Sequence, residues 1–411
     1  MNELDVLLDN KRLIADPLAD QTVEKLIESN GLDSIRLIFD IVSKNEDLPE
    51  VEMPEVLRSY FEETAQLPEW VDFEKIREGE RFFEEYGLQI SMMLLCKSLP
   101  ATYACAKGAE VLHMTGRFQA DENGDLSKFT RRLMETAQFV IDVMSEGGLG
   151  PNGRGIRTAQ KVRLIHAAIR YYLLNKHNWD TEYFGLPINQ EDMAGTLLAF
   201  SVFPLEGLLQ IGVDLTEEEK ESYLYAWRVV GHIMGVLPEL IPQNYDEGIK
   251  LGYQILDDQK APSEAGRELT DACVTFMQNI IPGTVLDFYP KLLMRHLIGD
   301  ELADIVGIEA KDSLLGSLIE KASFIMIDAI DDTMDHSEII SKLAQHFNKS
   351  LLQGMLLYFN DYKKVHFYIP PSLKENWEKT TELGQPEWLS VISTPAIGKW
   401  RLSIQHHTQK S

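Results

Sequence analysis

The chain is short of cysteine, of positive charge, of strand signals and of long apolar runs, and each shortage removes a class of protein. Its three cysteines, Cys96, Cys105 and Cys273, share no motif spacing. They build no disulfide framework and fit a reducing compartment. Lys and Arg number 39 against 65 Asp and Glu, for a formal net charge of −26. A nucleic-acid binder needs a basic face to displace counterions from phosphates, so DNA and RNA are excluded as partners. The same acidity argues against docking on anionic lipid. The first residues, Met-Asn-Glu-Leu-Asp, are acidic where a signal peptide is basic, which makes the cytoplasm the expected location. The most apolar stretch, 193–213, is interrupted by Pro204, Glu206 and Gln210. It reads as a buried helix and not as an integral membrane span. No run alternates strictly between apolar and polar with hairpin turns on either side, so a sheet is not expected.

What is there is helical periodicity. Positions 24–43 predict one or two amphipathic helices, with Leu26, Ile27, Leu37, Ile38 and Ile41 as core candidates. An acidic linker follows at 46–54. Leu67-Pro68-Glu69-Trp70 breaks the chain before Asp72 caps a helix over 73–86. An apolar region, 88–115, is broken at Pro100. Helices are predicted near 127–145, 157–176, 189–211, 216–236, 243–258 and 262–280. The last stretch, 365–411, is richer in Pro, Trp, His and Thr and reads as irregular. The expected fold class is therefore all-α: one large helical domain over 65–310, an N-terminal helical extension over 1–64, and C-terminal helices with a tail over 311–411.

Three motifs are lookalikes. Gly148-Leu-Gly150-Pro-Asn-Gly153 spells a dinucleotide fingerprint, but a helical pattern precedes it and Pro151 sits inside it. The fingerprint needs a strand before it, so a flexible interhelical loop is the better reading. Asp121-Glu-Asn123-Gly-Asp125 opens like a calcium loop, then puts Leu126 and Arg132 where glycine and glutamate are needed. Glu110-Val-Leu-His113 is one Glu-x-x-His step, whereas a di-iron bundle requires two such steps and two further glutamates.

The segment that carries chemistry runs from Arg157 to Leu173. Val162, Ile165, Ile169, Tyr172 and Leu173 form an apolar stripe at helical spacing, and His166 lies within it. Arg163 and Arg170 stand at i−3 and i+4, on the same face. Positive neighbours lower the pKa of histidine and keep its lone pair available. The arginines in turn need carboxylates. A haem brings two propionates, an apolar disc and an iron that accepts imidazole, and no Cys-x-x-Cys-His is present to tether it covalently. The bland alternative is a core histidine between arginines paired to Asp or Glu. A second helix, 127–145, puts Arg132, Glu135 and Thr136 on one face with Phe139. These could supply a donor, a base and a hydroxyl to oxygen, or simply an Arg–Glu pair and a threonine bonded to its own backbone.

At these residues the chain resembles the rubber oxygenase (latex-clearing protein) family, which shares its catalytic domain with the MpaB oxygenase. The helix Val162-Arg-Leu-Ile-His166-Ala-Ala-Ile-Arg170 carries the likeness. Leu67-Pro-Glu-Trp70-Val-Asp72, Arg132-x-x-x-Thr136, Pro187-Ile-Asn189-Gln-Glu191-Asp192, Trp227-Arg228-x-x-Gly231 and Arg295-His-Leu-Ile-Gly299-Asp-Glu-Leu-Ala-Asp304 extend it over 65–310. The resemblance implies a helical fold with a globin-like core and one haem b. His166 would be the proximal iron ligand, Arg163 and Arg170 would help bind the cofactor, and Arg132 and Thr136 would lie on the distal side. It implies a haem-dependent oxygenase acting with dioxygen on a small apolar, isoprenoid-like olefin. Two positions depart from the pattern: Glu135 stands where a lysine can ligate the iron, and Tyr171 where histidine is common. Polymeric rubber is a poor match for a chain without a signal. Glu135 is a candidate proton-transfer residue and equally an exposed carboxylate. Other readings of the scaffold are a haem sensor or carrier, a di-iron enzyme, and a metal-free helical protein. Oligomeric state is not legible.

Overall fold

The computed structural model of the chain describes residues 8, 10–31, 53–116, 126–280 and 287–309. Among them every regular element is helical, and the single β-bridge, between Cys105 and Lys260, is isolated. The expectations for Leu37, Ile38 and Ile41, the 121–125 turn and the 365–411 tail lie outside the described residues.

The helices begin where polar caps say they should. Asp16 and Pro17 open α1 (Pro17–Asn30), the Asp16 carboxylate accepting from the Ala19 amide and Pro17 taking a position where no backbone donor is needed. α2 (Glu55–Thr64) follows Pro54. Asp72 caps α3 (Phe73–Met93) by accepting from the Glu74 amide at 2.9 Å. α3 is a full two turns longer than the periodicity suggests, because it passes through a π-turn at Leu94–Ser98 into α4 (Leu99–Tyr103) before Pro100 takes effect. α5 (Ala106–Met114) and α6 (Ser127–Met144) come next, then α7 (Arg154–Lys176) and the short α8 (Thr181–Phe184). Asn189, Thr216 and Asn244 cap α9 (Gln190–Gln210), α10 (Glu217–Ile233) and α11 (Tyr245–Gln259), with a complete capping box at Thr216 and Glu219. α12 (Glu264–Ile280) and α13 (Tyr289–Ile305) finish the described chain, α13 bending at Gly299, where φ is +81°.

α9 is the apolar helix of the sequence. It is long and apolar enough to cross a membrane, but two-thirds (67%) of its apolar window is buried inside the protein. Pro204 lies within it and cannot donate to the Phe200 carbonyl one turn back. That carbonyl instead accepts from the Tyr223 hydroxyl of α10 at 3.0 Å. Trp227, one turn further along α10, stacks on Phe200 at 5.1 Å and 14°. α3 packs along α10, α9 along α11, and α6 and α1 along α7. Gly79 permits the first of these contacts, since a Cβ there would stand 2.6 Å from the Ser222 carbonyl oxygen.

Two core clusters result among the described residues. The large one gathers α3 to α6 and α9 to α13 around Trp227. The small one puts Leu26 of α1 and Tyr60 and Phe61 of α2 against Leu164, Ala167 and Ala168 of α7. α1 and α2, which belong to the stretch read from sequence as an extension, therefore cover one face of the His166 helix.

Candidate functional site

α6 and α7 form an antiparallel pair joined by the glycine-rich turn. The turn is tight and not loose. A Cβ on Gly148 would stand 2.3 Å from the Asp142 carbonyl oxygen, and one on Gly155 would stand 2.6 Å from the Val143 Cα. Asp142 then locks the pair, accepting from Gln138 at 2.7 Å and from Thr158 at 2.8 Å. Following both helices away from this lock brings Arg132 and Thr136 on α6 to the level of His166 on α7, close enough for the Arg132 charge to bear on the imidazole.

His166 sits deep in the protein and keeps some accessible surface. Its Nδ1 is sealed and has no hydrogen-bond partner. Burial, and then the Arg170 charge, drive its pKa down to about 4; Arg132 adds to the effect and Asp16 opposes it. The ring is neutral under ordinary conditions, with its lone pair free.

The flanking arginines find their carboxylates inside the chain. Arg163 donates to Asp16 at 2.5 and 2.8 Å and to the Ile233 carbonyl at 3.0 Å. Its guanidinium lies over Gly235, where any Cβ would stand 2.6 Å away. Arg170 donates to Asp20 at 2.7 Å and to the Ile188 carbonyl at 3.1 Å, leaving Nη2 buried and unpartnered. Local acids thus meet most of the arginines' demand for carboxylates, and Arg170 keeps a spare donor.

On α6, Arg132 pairs with Glu135 through Nη1 while its Nη2 is buried without a partner. Glu135 also accepts from Arg131 at 3.1 Å. Thr136 donates to the Arg132 carbonyl at 3.0 Å. In this geometry the Glu135 carboxylate is an ion-pair partner and not an isolated base, and the threonine donor is engaged in its own helix. Three unpartnered buried nitrogens, on Arg132, His166 and Arg170, therefore belong to one electrostatically coupled group. Buried polar groups are rarely left so, and such a group is the expected lining of a ligand site.

Other sequence motifs have structural roles. The Tyr225 hydroxyl accepts from the Asp72 amide and donates to the Trp70 carbonyl, each at 2.8 Å, which ties Leu67–Asp72 to α10. His232 packs edge-on to Trp70 at 6.3 Å. Arg295 donates to Asp304 at 2.7 Å across the Gly299 bend. His113 faces Glu268 at 3.4 Å, and no three His, Cys, Asp or Glu converge among the described residues, so the di-iron reading finds no ligand set there. The residues that sequence reasoning missed are Asp16 and Asp20. Asp16-Pro17 is visible as a helix start, but nothing local links it to an arginine 147 positions later.

Comparison with known proteins bears on this arrangement. A family model described as "ER-bound oxygenase mpaB/B'/Rubber oxygenase, catalytic domain" matches residues 85–317. A rubber oxygenase of Streptomyces sp. (strain K30) is 24% identical over 358 residues, which is 86% of this chain and 85% of that protein. The solved structure of latex clearing protein LCP in the closed state aligns with a TM-score of 0.68 at 22% identity, over 88% of this chain and 95% of that one. The structural likeness shows the helical fold.

Proposed function

The chain belongs to the family of mpaB and rubber oxygenase catalytic domains, and from that premise we propose that it is an oxygenase which uses a b-type haem on His166 to oxidise an apolar, isoprenoid-like olefin with dioxygen. The observation that carries the reading is His166 itself: a deep, neutral imidazole whose Nδ1 has no partner. The donor chemistry fits the group. A neutral imidazole suits iron, and the unpartnered Arg170 Nη2 suits a propionate. Arg163 is held by Asp16, so its role is to fix α7.

When bound, the haem supplies the redox chemistry for dioxygen. The chain supplies the rest. His166 holds the cofactor. Arg132, whose charge bears on the imidazole, keeps an unpartnered Nη2 able to stabilise negative charge developing on oxygen. Thr136 joins it once its hydroxyl swings off the Arg132 carbonyl. The Phe139, Phe200 and Trp227 rings, within 6.1 Å of one another, exclude water from the α6 side and suit an olefin better than a polar substrate.

A haem carrier or sensor is the second reading. It is favoured by the engagement of Thr136 and Glu135 within their own helix. The test is the absorption spectrum of the protein, oxidised and dithionite-reduced, beside His166→Ala. A Soret band that disappears in a variant with unchanged circular dichroism is the expected result. Wild type without a Soret band after haem addition would end the cofactor reading. Oxygen uptake on adding isoprenoid olefins then separates oxygenase from carrier.

A further inference from the structure

The two arginines that bracket His166 are matched by two acids from a single turn of chain. Asp16 is the cap of α1 and Asp20 lies in its first turn; the Asp16 amide donates to the Asp20 carboxylate at 3.2 Å, so the acids are coupled. This turn lies across α7 at the level of His166, one acid on Arg163 and the other on Arg170. The preceding residues are fastened just as densely on the other side. Lys11 pairs with Glu239 at 2.5 Å. Arg12 donates to Glu191 at 2.9 Å, to Asp192 at 3.1 Å and to the Phe184 carbonyl at 2.5 Å. The Ile14 carbonyl accepts from the Gln190 amide at 2.8 Å, and Gln190 Nε2 bridges the Ala15 and Gly235 carbonyls at 2.8 and 2.9 Å. Gln190, Glu191 and Asp192 of the motif are thereby explained: they hold residues 12, 14 and 15.

We propose that residues 11–20 form a clasp that positions His166, with Asp16 and Asp20 as its positioning residues. The reading of His166 as the ligand-bearing residue is the ground it rests on, and the clasp adds what sets that residue in place. Desolvation makes an unpaired buried guanidinium untenable. Without its acid, each arginine must turn away to reach water, and each sits within one turn of the imidazole. The clasp removes that freedom on both sides and closes the site's rear wall from α9 to the end of α10.

The experiment compares wild type with Asp16→Asn, Asp16→Glu and Asp20→Asn. Leu269→Ala serves as a control, a cavity variant in α12, which packs on α4, α5 and α13. Two readouts are taken at fixed pH: the ring-nitrogen NMR shifts of His166 in histidine-labelled apoprotein, and the rate of haem transfer to apomyoglobin. Asp16→Asn should move or broaden the His166 ring signals and speed haem loss at least tenfold. Asp16→Glu should restore most of both, and Leu269→Ala should change neither. Wild-type values in Asp16→Asn, or equal changes in Leu269→Ala, would overturn the clasp. Should Asp16→Asn fail to fold, Asp20→Asn, whose carboxylate is 26% exposed, gives the same two readings. If wild type never takes up haem, the cofactor reading fails, while the ring shifts still decide the clasp.

Discussion

Gly155→Ala tests whether the α6–α7 angle sets the site. Gly155 lies in the first turn of α7, and an added Cβ would stand 2.6 Å from the Val143 Cα and 2.7 Å from both the Asp142 and Gly148 carbonyl oxygens. All three atoms are backbone, so relief requires the helices to part. Overpacking a close contact costs about 1–3 kcal/mol, and unyielding neighbours put this case at the upper end. Replacing helical glycine by alanine returns about 1 kcal/mol, for a net loss of about 2 kcal/mol. Two companions calibrate the figure. At Gly231 the nearest atom, also at 2.6 Å, is Leu197 Cδ2, a methyl that can rotate away, so Gly231→Ala should cost less. At Gly108 the nearest atom is Asp192 Oδ1 at 3.8 Å, and Gly108→Ala should stabilise by about 0.5–1 kcal/mol. Urea midpoints at constant slope measure all three. Gly155→Ala should also lose haem faster, because Arg132 moves with α6. Wild-type stability in Gly155→Ala, or greater damage in Gly108→Ala, would refute the reasoning.

Three further outcomes are expected. His166 carries a pKa of about 4 when folded against 6.5 when unfolded, so between those values the unfolded chain binds more protons. Its contribution is complete above pH 6.5, falls by about 3 kcal/mol as pH drops toward 4 and then levels off; unfolding curves of the apoprotein across this range should show a slope that His166→Gln reduces. Asp16→Ala strands a buried guanidinium, since the side chains of Asp16 and Arg163 are 3% and 11% exposed, and should lower stability by about 3–5 kcal/mol in the same assay. Glu135→Gln removes the charge but keeps an acceptor for the exposed Arg131 and the largely buried Arg132, and should lower stability by about 1 kcal/mol; a fall in olefin-dependent oxygen uptake of about a hundredfold would give the carboxylate a proton-transfer role.

Helix positions were legible because caps and apolar stripes are local. Asp72, Asn189, Thr216 and Asn244 each begin a helix in the structure, within a residue or two of the sequence expectation. The π-turn at Leu94–Ser98 and the bend at Gly299 were not legible, since no periodicity announces them. At the site, the demand of Arg163 and Arg170 for carboxylates was plain, but the supplier was not. The chain offers 65 acids, and only tertiary structure selects Asp16 and Asp20. The glycine turn read as flexible is tight for the same kind of reason: what Gly148 and Gly155 make room for is the backbone of α6.

The self-paired arginines sharpen the case for His166. A buried ion pair seldom stabilises more than a well-packed apolar pair of the same volume, so two of them astride one histidine are poor value as mere packing. Burial does most to hold the imidazole neutral, the Arg170 charge adds to it, and Asp16 works against it. At an ordinary pKa of 6.5, roughly a quarter of such rings would be protonated at pH 7; at about 4, the fraction is on the order of one in a thousand. A proton then hardly competes with a metal for the lone pair. The acids meanwhile keep the arginines from driving α7 apart. The arrangement holds a neutral base between two fixed arginines, as the proposed ligand role requires.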